Sequence, residues 1–197
     1  PAGVELLMES YQRFAQWQQP RDPKTRPPAP AFEISTLDCH TGGEPLRIIT
    51  AGFPELHGDS VLAKRRHCQQ HFDGLRRALM WEPRGHADMY GCIVVPPERV
   101  DSAFGVIFLH NEGYSTMCGH AMIALAKVAV EAGVVAMTEP VSSFAVDAPC
   151  GQIRLFAEVK QGRVQHCWFH NVPSFVVASD QPLHLPGIGD LRYTLAF

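Results

Sequence analysis

The chain has 197 residues, enough for one large domain or two small ones, and its 46% apolar and 19% charged content excludes a disordered polymer. A formal net charge of −3 gives no electrostatic case for nucleic acid or an anionic membrane. Lys127 and Glu131 interrupt the most hydrophobic stretch, and residues 1–20 lack the basic and apolar regions of a signal peptide, so the expectation is a soluble, cytoplasmic protein.

Residues 1–31 read as a flexible tail. Five prolines lie between Gln19 and Ala31, and only Val4–Trp17 has the pattern of a short helix. From residue 32 the pattern changes. Phe32–Leu37 alternates as a strand, and Leu46–Ala51 is a second strand beyond a Gly42-Gly43 turn. Asp59 or Ser60 caps one predicted helix running to about Leu79, with Leu62, Phe72, Leu75 and Leu79 inward and Lys64–Arg66 and Arg76-Arg77 on a charged outer face. Met89–Val95 and Phe104–Leu109 are apolar strands on either side of Pro96-Pro97. A second helix is predicted from Met117 to Ala132, stopped by Gly133. Short β-rich segments follow at Phe144–Val146, Gly151–Val159, Arg163–Asn171, Phe175–Ala178 and Leu191–Phe197. The fold class is α+β with many strands and two helices. Because the chain stops inside a strand, residues 32–197 are expected to be a first domain that ends early, with a second domain mostly missing.

The chemistry concentrates in Asn111-Glu112-Gly113-Tyr114-Ser115-Thr116-Met117-Cys118-Gly119-His120. Ser115 and Thr116 are good capping residues, so Cys118-Gly119-His120 should open the second helix. A helix start presents unpaired N–H groups and the positive end of the dipole, which favour a thiolate or a bound carboxylate. Taken alone, these residues favour an inert core cysteine at position 118 over a reactive one.

Four motifs, in order, weigh on that choice. Asp38-Cys39-His40-Thr41-Gly42-Gly43-Glu44-Pro45 resembles the opening motif of the proline racemase family, and Met117-Cys118-Gly119-His120 resembles its first catalytic motif. Glu82–Gly91 and Phe108–Ser115 are similar to the branch of trans-3-hydroxy-L-proline dehydratases. The resemblance implies a diaminopimelate-epimerase-like fold, in which a β-sheet wraps a central buried helix and two such halves enclose a cleft. It implies that Cys118 removes the Cα proton of a bound amino acid, that Gly119 and His120 hold the substrate, and that no cofactor or metal is needed. The implied reaction is dehydration of trans-3-hydroxy-L-proline to Δ1-pyrroline-2-carboxylate, with proline racemase or 4-hydroxyproline 2-epimerase as the alternative. The implied partner is a small amino-acid substrate, with neither nucleic acid nor membrane, and a homodimer is compatible. The family's second motif, which would separate these activities, does not occur in this chain. A non-catalytic truncated product is therefore the alternative from another class.

Other readings are weaker. Pro149-Cys150-Gly151 lacks the flanking residues of the second motif, so Cys150 reads as structural. His67 and His71 stand at helical spacing and His166 and His170 on a strand, but two ligands do not make a metal site. Gly113-Tyr114-Ser115 begins like a nucleophile elbow, yet Met117 stands where Gly is required. Trp81 and Trp168 read as core or interface residues. His40 and His86 lie within the matching motifs but receive no role.

Overall fold

The computed structural model describes residues 33–196; the tail expected over residues 1–31, the Val4–Trp17 helix and Phe197 lie outside them. Strands β1 (Ser35–Thr41) and β2 (Glu44–Ala51) form a hairpin whose two-residue turn, Gly42-Gly43, places both glycines at positive φ (62° and 106°). Helices α1 (Val61–His71) and α2 (Asp73–Met80) then lead to β3 (Tyr90–Val95) and β4 (Ser102–His110). Helix α3 (Gly119–Glu131) connects β4 to β5 (Val141–Ala148), which is followed by β6 (Gly151–Lys160) and β7 (Arg163–His170). Strands β8 (Val176–Leu185) and β9 (Gly189–Ala196) complete the described chain.

Strands β1 to β7 form one mixed sheet in sequence order, whereas β8 and β9 pair only with each other. Two neighbour pairs are parallel, β2–β3 and β4–β5, and each is joined through helices: α1 and α2 for the first, α3 for the second. Side-chain alternation sends β4's Phe104, Val106 and Phe108 toward α3 and its Ile107 and Leu109 toward α1 and α2. Both faces of β4 are therefore covered, which explains its almost unbroken apolar run. Helix α3 packs against β6 and β7 at one side and β1 and β2 at the other, so the sheet curls around it. Ala121, Met122, Leu125, Ala126, Ala129 and Val130 are all buried on that helix. This is the wrapped helix that the resemblance implied.

Three expectations need correction. The predicted helix from Ser60 to Leu79 is two helices: Phe72 leaves helical geometry (φ −129°, ψ 17°), and Asp73 opens α2 with its carboxylate beside Arg76. The described residues thus hold three helices, with Ser60 capping the first through Ala63 N–H (3.0 Å). Arg76 is not on a charged outer face but buried, at 5% exposure. Finally, the strand expected over Phe175–Ala178 runs to Leu185, although it includes Pro182; a two-stranded ribbon open to solvent tolerates a residue without an N–H.

One buried charge organises the β3–β4 connection. The Asp147 carboxylate on β5 has no exposure and accepts from the amides of Glu98 and Arg99, the Arg99 guanidinium and the Ser102 hydroxyl. Burial opposes its ionisation, but these donors outweigh that and hold its pKa below the usual carboxylate value.

Candidate active site

Helix α3 begins where the 110–116 loop leaves β4. Cys118 is itself the N-cap, with extended backbone (φ −147°, ψ 110°), so Ser115 and Thr116 do not cap the helix as expected. The first amide taken into the helical ladder is that of Met122, bonded to Cys118 O at 3.1 Å. The amides of Gly119, His120 and Ala121 are thereby left outside that ladder at the positive end of a 13-residue helix. No capping hydrogen bond of normal length reaches the sulfur, yet the Ala121 and His120 amides and the Tyr90 hydroxyl all favour its thiolate. Burial is the larger influence, and Glu44 adds to it, so the Cys118 thiol is raised above its ordinary value and is protonated at rest.

His120 faces that thiol. Its Nδ1 lies 3.3 Å from Cys118 Sγ, while its Nε2 lies 3.2 Å from the carbonyl of Pro45 on β2. A carbonyl only accepts, so Nε2 carries the proton and Nδ1 is the unprotonated ring nitrogen, the nearer of the two to a sulfur that also lies 3.7 Å from Nε2. Thr41 Oγ1 donates to the backbone carbonyl of His120 at 2.8 Å. Thr41 and Pro45 flank the β1–β2 turn, which is how the opening motif reaches His120, 79 residues after Thr41.

Tyr90 closes the other side. Its hydroxyl bonds with Ser115 Oγ, and its ring lies parallel to His110 (5.5 Å) and edge-on to His120 (5.0 Å). Burial raises the Tyr90 phenol, so it remains protonated. Burial beside Arg76 and Arg65 lowers His110, keeping it neutral. Next to these rings is a cavity of about 470 Å³ bordered by Glu44, Tyr90, His110, Asn111 and His120. A second cavity of about 490 Å³ under the 52–58 loop contains none of the residues around Cys118.

The loop itself is fastened from α1 and α2. Arg76 Nη1 donates to His110 O at 2.8 Å and also to Asn111 O, while its Nε pairs with Asp73 at 2.6 Å. Arg65 donates to the carbonyl of Tyr114. Asn111 Nδ2 donates to Met80 O and His86 O, and Trp81 Nε1 donates to Asn111 O, so the half-exposed Trp81 is an anchor and not a core residue. Trp168 is also partly exposed, stacked on Phe156 at 5.2 Å.

The three expected site residues, Cys118, Gly119 and His120, thus come together at the opening of α3. Gly119 has Phe169 of β7 so near that an added Cβ would lie 3.3 Å from its ring. Cys150 sits at the β5–β6 turn and bonds to the loop only through its amide, to Thr116 O. His40 accepts from its own turn's Gly43 amide, and the His86 ring contacts Ala87 O; neither contacts Cys118. His67 stacks with His71 and His57, but among the described residues no three His, Cys, Asp or Glu side chains are arranged to hold a metal ion. Tyr90, Thr41 and Pro45 received no role from sequence, and Ser115 was singled out as a capping residue and not as a partner of Tyr90. All four lie inside the matched motifs, which was the available signal.

A curled sheet closed on a buried helix, with a thiol and an imidazole at that helix's start, is an epimerase-like α+β architecture. It superposes on a hydroxyproline epimerase from Agrobacterium vitis with bound trans-4-OH-L-proline (TM-score 0.72, 25% identity, 83% of this chain and 48% of that one). It also superposes on a probable proline racemase from Agrobacterium radiobacter K84 with bound carbonate (TM-score 0.73, 28% identity, 83% and 49%). Residues 36–197 match the family described as Proline racemase, and the chain belongs to it. Among curated proteins it is 55% identical over 191 residues to trans-3-hydroxy-L-proline dehydratase of Colwellia psychrerythraea, covering 97% of this chain and 52% of that protein. Identity to the Homo sapiens trans-3-hydroxy-L-proline dehydratase is 47% over 182 residues, 90% of this chain and 51% of that protein. The chain therefore spans about half the length of the curated relatives it matches. No helix among the described residues is long and apolar enough to cross a membrane.

Proposed function

We propose that the complete protein is a hydro-lyase that converts trans-3-hydroxy-L-proline to Δ1-pyrroline-2-carboxylate and water, with residues 32–197 supplying one half of its cleft. The observation that carries this reading is the Cys118–His120 pair at the start of α3, in a chain 47–55% identical to proteins named for that reaction. A proton on a carbon beside a carboxylate is very weakly acidic, so its removal requires both a base and stabilisation of the charge that develops. In this reading the thiolate of Cys118 is the base. The amides of Gly119 and His120 at the positive helix end receive the substrate carboxylate, and loss of the 3-hydroxyl drains the electron pair into a double bond. The resulting enamine tautomerises to the cyclic imine without a cofactor.

The test is product analysis of the complete protein incubated with trans-3-hydroxy-L-proline, followed by borohydride reduction of any imine to proline. Imine formation is expected, with Cys118→Ser lowering the rate about 10²- to 10⁴-fold, the usual worth of a positioned proton-transfer group, and Cys150→Ser nearly unchanged. Racemisation of proline or epimerisation of 4-hydroxyproline without imine would replace this reading by the alternative. Equal sensitivity to the two substitutions would overturn the choice of sulfur.

A further inference from the structure

The stereochemistry of the proposed substrate places a second demand on this half of the cleft, and the inference drawn from it rests on the dehydratase reading. In trans-3-hydroxy-L-proline the hydroxyl is trans to the carboxylate and therefore on the same ring face as the Cα hydrogen. A base reaching that hydrogen and an acid reaching that hydroxyl must stand side by side on one wall. Hydroxide is a poor leaving group, so the acid is needed if water is to leave at a useful rate.

We propose that His120 is the catalytic acid that protonates the departing 3-hydroxyl, acting beside Cys118 from the same face. The two reacting atoms are neighbours, Nδ1 and Sγ at 3.3 Å, as a base and an acid serving adjacent ring carbons should be. The tautomer has the right sense, because Nε2–H is held by Pro45 O and only Nδ1 is free to accept and return a proton. The Tyr90 hydroxyl, also near the sulfur, bonds with Ser115 Oγ and favours the thiolate, the part already given to it.

The step balances within the pair. The Cys118 thiol proton passes to His120 Nδ1, giving thiolate and imidazolium. The thiolate removes the Cα hydrogen, and the C–H electrons form the Cα–C3 double bond. The C3–O bond breaks as its oxygen takes the Nδ1 proton, and water departs. Thiol and neutral imidazole are both restored, so no outside proton is needed to reset the site. A residue on the opposite face has no proton to move in this scheme.

The experiment compares two leaving groups in the complete protein: trans-3-hydroxy-L-proline, which needs the acid, and trans-3-fluoro-L-proline, whose fluoride leaves unprotonated. His120→Gln also loses the acceptor of the thiol proton, so both rates are expected to fall, but kcat on the hydroxy substrate should fall about 10²-fold or more beyond the loss of fluoride release. Equal losses on both substrates would overturn the acid role and leave His120 only as a group that orients substrate or activates the thiol. Imidazole in the buffer should restore dehydration to His120→Ala; no recovery in a variant that still releases fluoride would count against the assignment. The unmodified protein provides a readout independent of variant folding, since a solvent deuterium effect on C–O cleavage should exceed that on fluoride release, and equal effects would sink the proposal. Dehydration of cis-3-hydroxy-L-proline at the same rate as the trans isomer would overturn the same-face arrangement. Exchange of the Cα hydrogen with no elimination from either substrate would instead remove the dehydratase reading itself.

Discussion

At the scale of single residues, the site's unusual feature is a thiol whose surroundings compete. Burial pushes the Cys118 proton on, while the helix-start amides and the Tyr90 hydroxyl pull it off, and burial wins. Alkylation of Cys118 by iodoacetamide should therefore keep accelerating as pH rises past the ordinary thiol range. In Tyr90→Phe, which loses a donor to the thiolate and keeps the ring between His110 and His120, that rise should move to still higher pH. A shift to lower pH would show that Tyr90 does not stabilise the thiolate. Cys118, Gly119 and His120 could be singled out because they are contiguous in a segment that resembles a known motif; the helix opening by itself favoured an inert cysteine. Tyr90 could not be, because what makes it matter is a contact across two strands and a loop, which no local pattern encodes.

At the scale of elements, the break at Phe72 decides what α2 can do. A single continuous helix would have turned Arg76 and Arg77 outward together; restarting the helix at Asp73 buries Arg76 and aims its guanidinium at the 110–116 loop. The sequence did carry a hint, since Asp73 provides the negative charge that favours a helix start. The long apolar periodicity across Phe72 outweighed it. Arg76→Met should cost about 3 kcal/mol in urea-induced unfolding, because Asp73 and the carbonyls of His110 and Asn111 lose a buried charged partner. Amide hydrogen exchange in residues 110–116 should also rise more than exchange in β5 to β7. Uniform exchange across the sheet would mean that Arg76 stabilises the domain without fastening the loop. The strands of the main sheet were largely readable from alternation and from the glycine turn, whereas β8 was cut short because Pro182 argues against a strand until the hairpin's solvent edge is known.

At the scale of the whole molecule, all six thiols are placed where burial makes ionisation difficult, four of them most strongly. Burial, with help from Asp38, pushes Cys39 to about 12; burial pushes Cys68 and Cys167 to about 11; and fully enclosed Cys92 is raised well beyond the ordinary value. Unfolded thiols release their protons near 9.0, so the folded chain holds protons that the unfolded chain gives up. Stability from this source is complete below that pH and is lost as pH climbs through the raised values. The urea midpoint should therefore fall steadily between pH 8 and pH 11, and a flat profile would show that these thiols sit in more polar surroundings. None of this was visible in the spacing of the cysteines. It depends on which face of β1, β3 or β7, or for Cys68 of helix α1, each of the four occupies.

The contact between the His120 ring and the Pro45 carbonyl has a consequence for variation. Its acceptor is main chain, so no side-chain replacement at position 45 can delete it; only a displacement of the hairpin can. The element that sets the imidazole's proton position is thus shielded from point substitution, while the residues that hold the hairpin's shape, Gly42 and Gly43 at positive φ, carry that vulnerability instead. A change in the turn, far from sulfur and ring in sequence, would be felt as a change in which nitrogen faces the thiol.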